Sequence, residues 1–354
     1  MWSILAVVAR IAIVTSHPPF AEGGHLVIAN ALKTELVKAG HDATVTLTAQ
    51  NRFGRQGAAY VATWLTDLEQ AYDGGPVDQV ISLRFPSYAI RHPVHVCWLN
   101  HRMREYYDQW PRFTASLSKR ARFKERMRRR LIHGVDRYLL TRNVTRLFAQ
   151  SRTIQARLSR WGEIPSTVLH PPPPPRPYRC DAYDDYLLVV SRLTALKRIE
   201  LVVDALAEPA ATAVRCVILG DGEERVALAE RIAARGLAAR VTLCGSVSEQ
   251  ELLDHLARCR AVCFPSAQED YGLVTVESFA SAKAVVACSD SGGPEELVDH
   301  EKNGMIVEPN ARSLSIAIGR LMNEAGLAER LGVAARRQAD TMTWGHALRQ
   351  LLLV

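Results

Sequence analysis

The chain has 354 residues, too many for one ordinary domain at roughly 100–200 residues each. Its apolar fraction of 48% and charged fraction of 23% exclude a disordered or a membrane-embedded chain. The net charge of +7 conceals opposite halves: residues 1–177 hold 25 Lys and Arg against 12 Asp and Glu, and residues 178–354 hold 19 against 25. Such a split points to two domains that meet different partners.

The chain starts with an apolar run, MWSILAVVARIAIV, broken by Arg10. It is shorter than the roughly 20 residues of a spanning helix, and it lacks the basic start of a signal peptide. It reads as a short extension followed by a buried strand, RIAIVTS. A Pro/Gly loop, HPPFAEGG, leads into an amphipathic helix, HLVIANALKTELVKAG, and then a strand, ATVTLTA. VDQVISL and VHVCWL follow as short apolar runs, the form taken by strands covered on both faces. Residues Ser116 to Arg146 have helical period and are very basic, RLFAQS reads as a strand, and TIQARLSRWG as a helix. HPPPPPRPY is a stiff polyproline linker.

The second half restarts the pattern with YLLVVS, AVRCVILG, RVTLCG, RAVCFPS, KAVVAC and GMIVE as strands and helical segments between them. Ser248 and Glu251 form the signature of a capping box. Strands separated by helical stretches mean βαβ units and parallel sheets. The expected fold class is therefore α/β, with two Rossmann-like doubly wound domains facing a central cleft. The expected division is 1–170, a linker over 171–180, 181–340, and a C-terminal helix over 341–354 that packs back on the first domain. Seven scattered cysteines without a C-x-x-C read as free thiols of a reducing compartment rather than a zinc site.

Open parallel sheets bind ligands at the C-terminal ends of their strands, so chemistry is sought there. Gly23 and Gly24 lie between the first strand and its helix, as an anion-binding turn or an ordinary one. The dinucleotide fingerprint G-x-G-x-x-G is absent. Arg192 and Lys197 follow YLLVVS. A planar fork and a point charge suit a diphosphate, the alternative being a solvated turn. Lys197 opens a helix, where the dipole disfavours a cation, so it needs an anionic partner or solvent. Asp221-Gly222 needs no reading beyond a tight turn. Glu269 lies in the loop after RAVCFPS, and Glu277 lies inside the next helix. These carboxylates suit sugar hydroxyls and a vicinal diol, a glycosidase pair, or simply a charged surface. His101, just past VHVCWL, is either structural or able to reach a ligand.

The stretches VVSRLTALKRIELVVDAL, VILGDGEE, VTLCGSVSEQELLDHL, FPSAQEDYGLVTVESFASAKAVVACSDSGGPEELV and NGMIVEP occur in this order between about Tyr186 and Pro309. Together they resemble the nucleotide-sugar domain of family 4 retaining glycosyltransferases with the GT-B fold. The spacing of Glu269 and Glu277 matches the hallmark E-x7-E element of that family. The first half is similar more loosely, through Gly23-Gly24 and CWLNHRMREYYD. The resemblance implies that a sugar passes with retention from a nucleoside-diphosphate donor to a glycan, lipid-linked or small-molecule acceptor, with no metal and no cofactor beyond the donor.

It also implies roles. Arg192 and Lys197 would bind the diphosphate and Glu269 the donor sugar, beside the amides of Tyr271, Gly272 and Leu273. Glu277 would hold the ribose hydroxyls, His101 would stand beside the transferred sugar, and Gly23 and Gly24 would form the loop that closes on the phosphates. Asp270-Tyr271 departs from the family's usual residues, and the stretch between Ala49 and Val77 is short. A nucleotide-sugar epimerase and a catalytically silent GT-B scaffold are the rival readings.

Eight Lys and Arg crowd Lys119–Arg130, opposed only by Glu125. They form a solvated helix face, a patch for an anionic membrane, or a nucleic-acid contact. The last is disfavoured, because no aromatic interleaving or nucleic-acid fold accompanies it. The expected location is the cytoplasm, with peripheral attachment to the inner face of the membrane through this segment.

Overall fold

The computed structural model describes residues 8–17, 23–49 and 54–354. The extension read at residues 1–7 and most of the loop before Gly23 lie outside the described residues. The chain divides into two compact units, one of residues 1–175 with 344–354 and one of 176–343.

In the first unit the described strands are β1 (Arg10–His17), β2 (Asp42–Ala49), β3 (Gln79–Ser82), β4 (His95–Leu99), β5 (Arg146–Ala149) and β6 (Thr167–Val168). They form one parallel sheet in the order β2-β1-β3-β4-β5-β6. β3 and β4 are buried throughout, as strands covered on both faces must be. The direction of sheet growth reverses between β1 and β3.

The basic segment forms the helix Lys119–Tyr138, shorter than the helical period of 116–146 implied, and it ends in a wide turn over Leu139–Asn143. Ser118 caps it by accepting from the Ala121 amide. Its inner face carries Asp136, a buried carboxylate that accepts hydrogen bonds from the hydroxyls of Tyr60, Tyr88 and Tyr107. Three donors offset much of the cost of burying that charge. Burial and the neighbouring Asp136 push all three tyrosines far above their ordinary range. Asp136 is thus one anchor of the basic helix, beside Arg129 and His133, which both donate to the Tyr106 carbonyl.

The C-terminal helix Trp344–Leu351 belongs to this unit. Trp344 donates its indole N–H to the Pro173 carbonyl at 2.9 Å and meets Trp98 edge-on at 6.1 Å. Gln79 at the start of β3 donates to Leu351 O at 2.7 Å and accepts from Leu353 N at 2.9 Å.

The second unit holds β7 (Leu187–Val190), β8 (Cys216–Leu219), β9 (Val241–Gly245), β10 (Ala261–Cys263), β11 (Ala284–Cys288) and β12 (Gly304–Val307). They pair in parallel in the order β12-β11-β10-β7-β8-β9. The chain adds strands to one side of β7 and then crosses to the other, so the switch point lies between β7 and β10. The crevice beyond the C-terminal ends of such a pair is where this architecture binds ligands. The capping box of Ser248 and Glu251 is formed in full at the helix Glu249–Arg258.

Candidate functional site

The loops that leave β7 and β10 carry the candidate residues, and the switch point makes them neighbours. Behind β7 the chain runs through Arg192 to a short turn, Ala195–Lys197. Behind β10 it runs through Ser266 and Glu269 to the helix Leu273–Ala280. The two loops are joined at the backbone by Ala267 N donating to Leu196 O at 2.8 Å.

Their side chains meet as well. Lys197 donates to Glu269 Oε2, to which Ser266 Oγ also donates at 2.7 Å. The Lys197 ammonium lies 5.1 Å from the Phe264 ring centroid. Burial alone would raise the Glu269 carboxyl, but the Lys197 charge, with the hydrogen bonds from Lys197 and Ser266, holds it below its ordinary range. Of the two possibilities for Lys197, an anionic partner or solvent, the structure gives the first, in Glu269. The Arg192 guanidinium is exposed and has no hydrogen-bond or salt-bridge partner among the described residues.

The glycines around this loop serve close approach. Gly220 has φ of +123°, and a Cβ there would fall 1.9 Å from the Ser191 carbonyl oxygen. At Gly222 a Cβ would fall 2.4 Å from the Leu193 carbonyl oxygen. Leu193 N donates to Asp221 O at 2.9 Å and Glu224 N donates to Leu193 O at 3.0 Å. The turn around Asp221-Gly222 is thus more than a tight turn: it clamps the loop that presents Arg192. On the other side, Glu269 N donates to Ser291 O at 2.7 Å and Gly293 N donates to Glu269 O at 3.0 Å. A Cβ on Gly293 would come within 2.5 Å of Tyr271 backbone atoms. The Gly292-Gly293 pair lets this turn lie directly on the Glu269–Tyr271 backbone.

Sequence reasoning missed Arg198. It adopts φ of +51°, forks onto Asp290 at 2.6 and 2.8 Å, and donates to Pro265 O at 2.7 Å. One side chain thereby holds the Lys197 turn against the Glu269 loop. A positive φ outside glycine carries a cost, and the bidentate pair offsets it. The LKR run showed only a cluster of cations.

Glu277 is not part of a charged surface; it is 4% exposed. Its Oε1 accepts from Arg176 and, at 3.3 Å, from the Tyr178 hydroxyl. Arg176 also reaches Glu249 at 2.9 Å. Burial pushes the Glu277 carboxyl up to about 7, against the opposing pull of Arg176 and Tyr178. Nothing in the sequence pairs the end of the proline run with a helix a hundred residues on, and the two partners were missed.

Gly272 starts the helix Leu273–Ala280 with φ of +82°, and a Cβ there would meet Pro294 at 2.7 Å. The first amides of that helix have no intrahelical acceptor, and the preceding Tyr271 is buried. These amides, Arg192, Lys197, Glu269 and Glu277 all belong to the second unit. Gly23, Gly24 and His101 belong to the first. Gly23 is extended at φ −176° and precedes the helix Gly24–Lys38, and its carbonyl accepts from Leu26 N at 3.0 Å. His101 follows β4, pairs through Nδ1 with Arg102 O at 2.7 Å, and lines a cavity of about 20 Å³ with Arg102, Tyr107 and Asp108.

Such a pair of doubly wound units is the GT-B architecture of glycosyltransferases. The structure resembles sucrose-phosphate synthase from Thermosynechococcus elongatus (TM-score 0.74, 18% identity, 97% of this chain and 99% of that one). It also resembles Anabaena HepE in complex with UDP and glucose (TM-score 0.68, 18% identity, 97% of each chain).

Residues 178–338, a little under half of the chain, match the family of glycosyl transferases group 1. Among curated relatives, the chain is 31% identical over 184 residues to a D-inositol 3-phosphate glycosyltransferase of Jonesia denitrificans. It is 27% identical over 165 residues to the human alpha-1,3/1,6-mannosyltransferase ALG2. The matched stretches cover 48% and 42% of this chain but only 42% and 39% of those two proteins.

Among the described residues, no helix is long and apolar enough to cross a membrane.

Proposed function

We propose that this protein is a retaining, metal-independent glycosyltransferase that moves a hexose-type sugar from a nucleoside-diphosphate donor to an acceptor. The observation that carries the reading is the Lys197–Glu269 pair at the switch point, with the Arg192 fork exposed on the same loop. Breaking a sugar–phosphate bond puts charge on the leaving diphosphate. Arg192, Lys197 and the first amides of the helix Leu273–Ala280 supply fixed positive poles for it. Glu269, kept ionised by Lys197, accepts from the hydroxyls of the transferred sugar, and Glu277 accepts from the ribose diol. The departing phosphate oxygen takes the proton of the acceptor hydroxyl, so no side-chain base is required.

A panel of UDP-, GDP- and other nucleotide sugars should contain one that raises the melting temperature and is slowly hydrolysed with EDTA present. NMR should show that the sugar released first keeps its anomeric configuration. Inversion would refute retention, and loss of turnover in EDTA would refute metal independence. Interconversion of sugar epimers would make the chain an epimerase, and stabilisation without turnover a silent scaffold.

The acceptor is read as lipid-linked and presented at an anionic membrane. The helix Lys119–Tyr138 carries Phe123, Met127 and Leu131 on one stripe, 63%, 49% and 68% exposed, flanked by its cations. That is the make-up of a helix lying in a lipid interface. Beside it, Trp110, Arg126, Arg129, Arg130 and His133 line a groove of about 410 Å³, with Arg129 stacked 4.8 Å over the Trp110 ring. The protein should co-sediment with phosphatidylglycerol vesicles and not with phosphatidylcholine vesicles, and Phe123→Ser with Leu131→Ser should weaken the binding. Equal behaviour with both vesicles would reject the membrane reading.

A further inference from the structure

Lys283 is fully buried at the foot of β11, and no carboxylate pairs with it among the described residues. A buried ammonium without an anion is costly. What surrounds this one is the Ala182 carbonyl, the face of Tyr183 at 3.9 Å from the ring centroid, and Cys180 Sγ at 3.2 Å. Of these, only the thiol is a nucleophile that peroxides oxidise readily. Cys180 is itself exposed, so solutes reach its sulfur while the amine stays shielded behind it.

The pair is held in place. Asp181 N and Ala182 N both donate to Ala257 O, at 2.9 and 3.3 Å, and Asp184 N donates to Arg258 O at 2.8 Å. Arg179 ties the same segment to Asp254 and Asp181. The Tyr183 hydroxyl donates to Ala282 O at 2.8 Å, next to Lys283. A thiol and an amine fixed at contact distance, one accessible and one buried, have no part in the sugar chemistry proposed above.

We propose that Lys283 and Cys180 form a peroxide-responsive crosslink site. In the first step the Cys180 thiolate attacks one oxygen of a hydroperoxide, the O–O bond breaks, and the thiol becomes a sulfenic acid while the other oxygen leaves as water. In the second, Lys283 Nζ, whose ammonium proton has turned the first departing hydroxide into that water, attacks Sγ. The S–N bond forms, the S–O bond breaks, and the departing hydroxide takes the second nitrogen proton and leaves as water. One thiol, one amine and one hydrogen peroxide give one sulfenamide and two waters. The bond would fasten the segment that bears Arg176 and Tyr178 to the base of β11, and thiol reductants would release it.

The test is peptide mapping of the full-length protein after mild hydrogen peroxide treatment. Trypsin should no longer cut after Lys283, and the uncut peptide Ala261–Lys302 should be recovered joined to Cys180–Arg192 with the loss of two hydrogens. Dithiothreitol should restore cleavage. Cys180→Ser should abolish the joined species, and Cys259→Ser should leave it. If Lys283→Arg folds, its Cys180 should accumulate as a sulfenic acid trapped by dimedone. Because the wild-type map stands without that variant, a failure of Lys283→Arg to fold does not protect the proposal. A disulfide from Cys180 to Cys259, sulfinic acid at Cys180 with Lys283 still cleaved, or a joined pair that keeps an oxygen would each overturn it.

Discussion

Lys197→Ala is expected to lower kcat/KM for the nucleotide-sugar donor by about 10²–10³-fold, the effect of removing one preorganised charge from a transition state that develops negative charge. The fold of the second unit should survive, because Arg198 still fastens the turn to Asp290 and Pro265. A second consequence separates this variant from a simple loss of charge. Lys197 is what offsets the burial of Glu269, so without it the carboxyl rises and protonates more readily. In the wild type the lowered Glu269 contributes stability that is present above its unfolded value and lost as the pH falls through the folded one. The variant should lose that contribution and unfold with a flatter pH dependence on the acid side. Lys197→Arg should recover part of the rate. An unchanged kcat/KM in Lys197→Ala would remove this residue from the donor site.

Arg176→Gln is the second large effect. Glu277 titrates at about 7 because burial raises it, and Arg176 is the charge that opposes the rise. The sign follows from the direction of the shift. A folded value above the unfolded one means the group favours the folded state below its unfolded value and loses that contribution as the pH rises through about 7. Over the span between the two it is worth about 3 kcal/mol at most. The ionised carboxylate offers two strong acceptor oxygens to the hydroxyls of a diol and the protonated one only a single weaker one, so donor kcat/KM should climb through neutral pH in the wild type. In Arg176→Gln that limb should move up by about one pH unit or more, with roughly tenfold lower kcat/KM at pH 7. Tyr178→Phe should move it less. A limb that stays in place in Arg176→Gln would show that Glu277 does not titrate in donor binding.

Much of the scaffold was legible because parallel strands covered on both faces are continuous apolar runs, and β3, β4, β7 and β11 could be read off as such. The loops behind them were legible for a topological reason: whatever follows a strand in a doubly wound sheet stands at its ligand edge. Lys197 illustrates this best, since its conflict with the helix dipole called for an anion or for solvent, and Glu269 is the anion that it finds.

What could not be read depends on distance along the chain. Arg176 and Tyr178 sit beside a proline run and look like linker residues until the fold brings them to Glu277. Asp136 looks like one more charge on a surface helix, yet it gathers three tyrosines from three other segments. Gly220 and Gly222 look like turn formers, and only the neighbouring Ser191 and Leu193 carbonyls show that no side chain fits. Positive φ at Arg198 left no mark at all, because nothing in its residue type calls for it.

The return of Trp344–Leu351 to the first unit has a consequence for synthesis. Gln79 finds both of its backbone partners in residues translated after the whole of the second unit, and Pro173 waits for Trp344. On a ribosome the unit that is begun first is finished last, after the whole of 176–343 has emerged. The second unit is contiguous and can close while the chain is still growing. Folding order here should run against gene order, and the face around Gln79, Trp98 and Pro173 that Trp344–Leu351 later covers is the stretch a chaperone would have to shield during that interval.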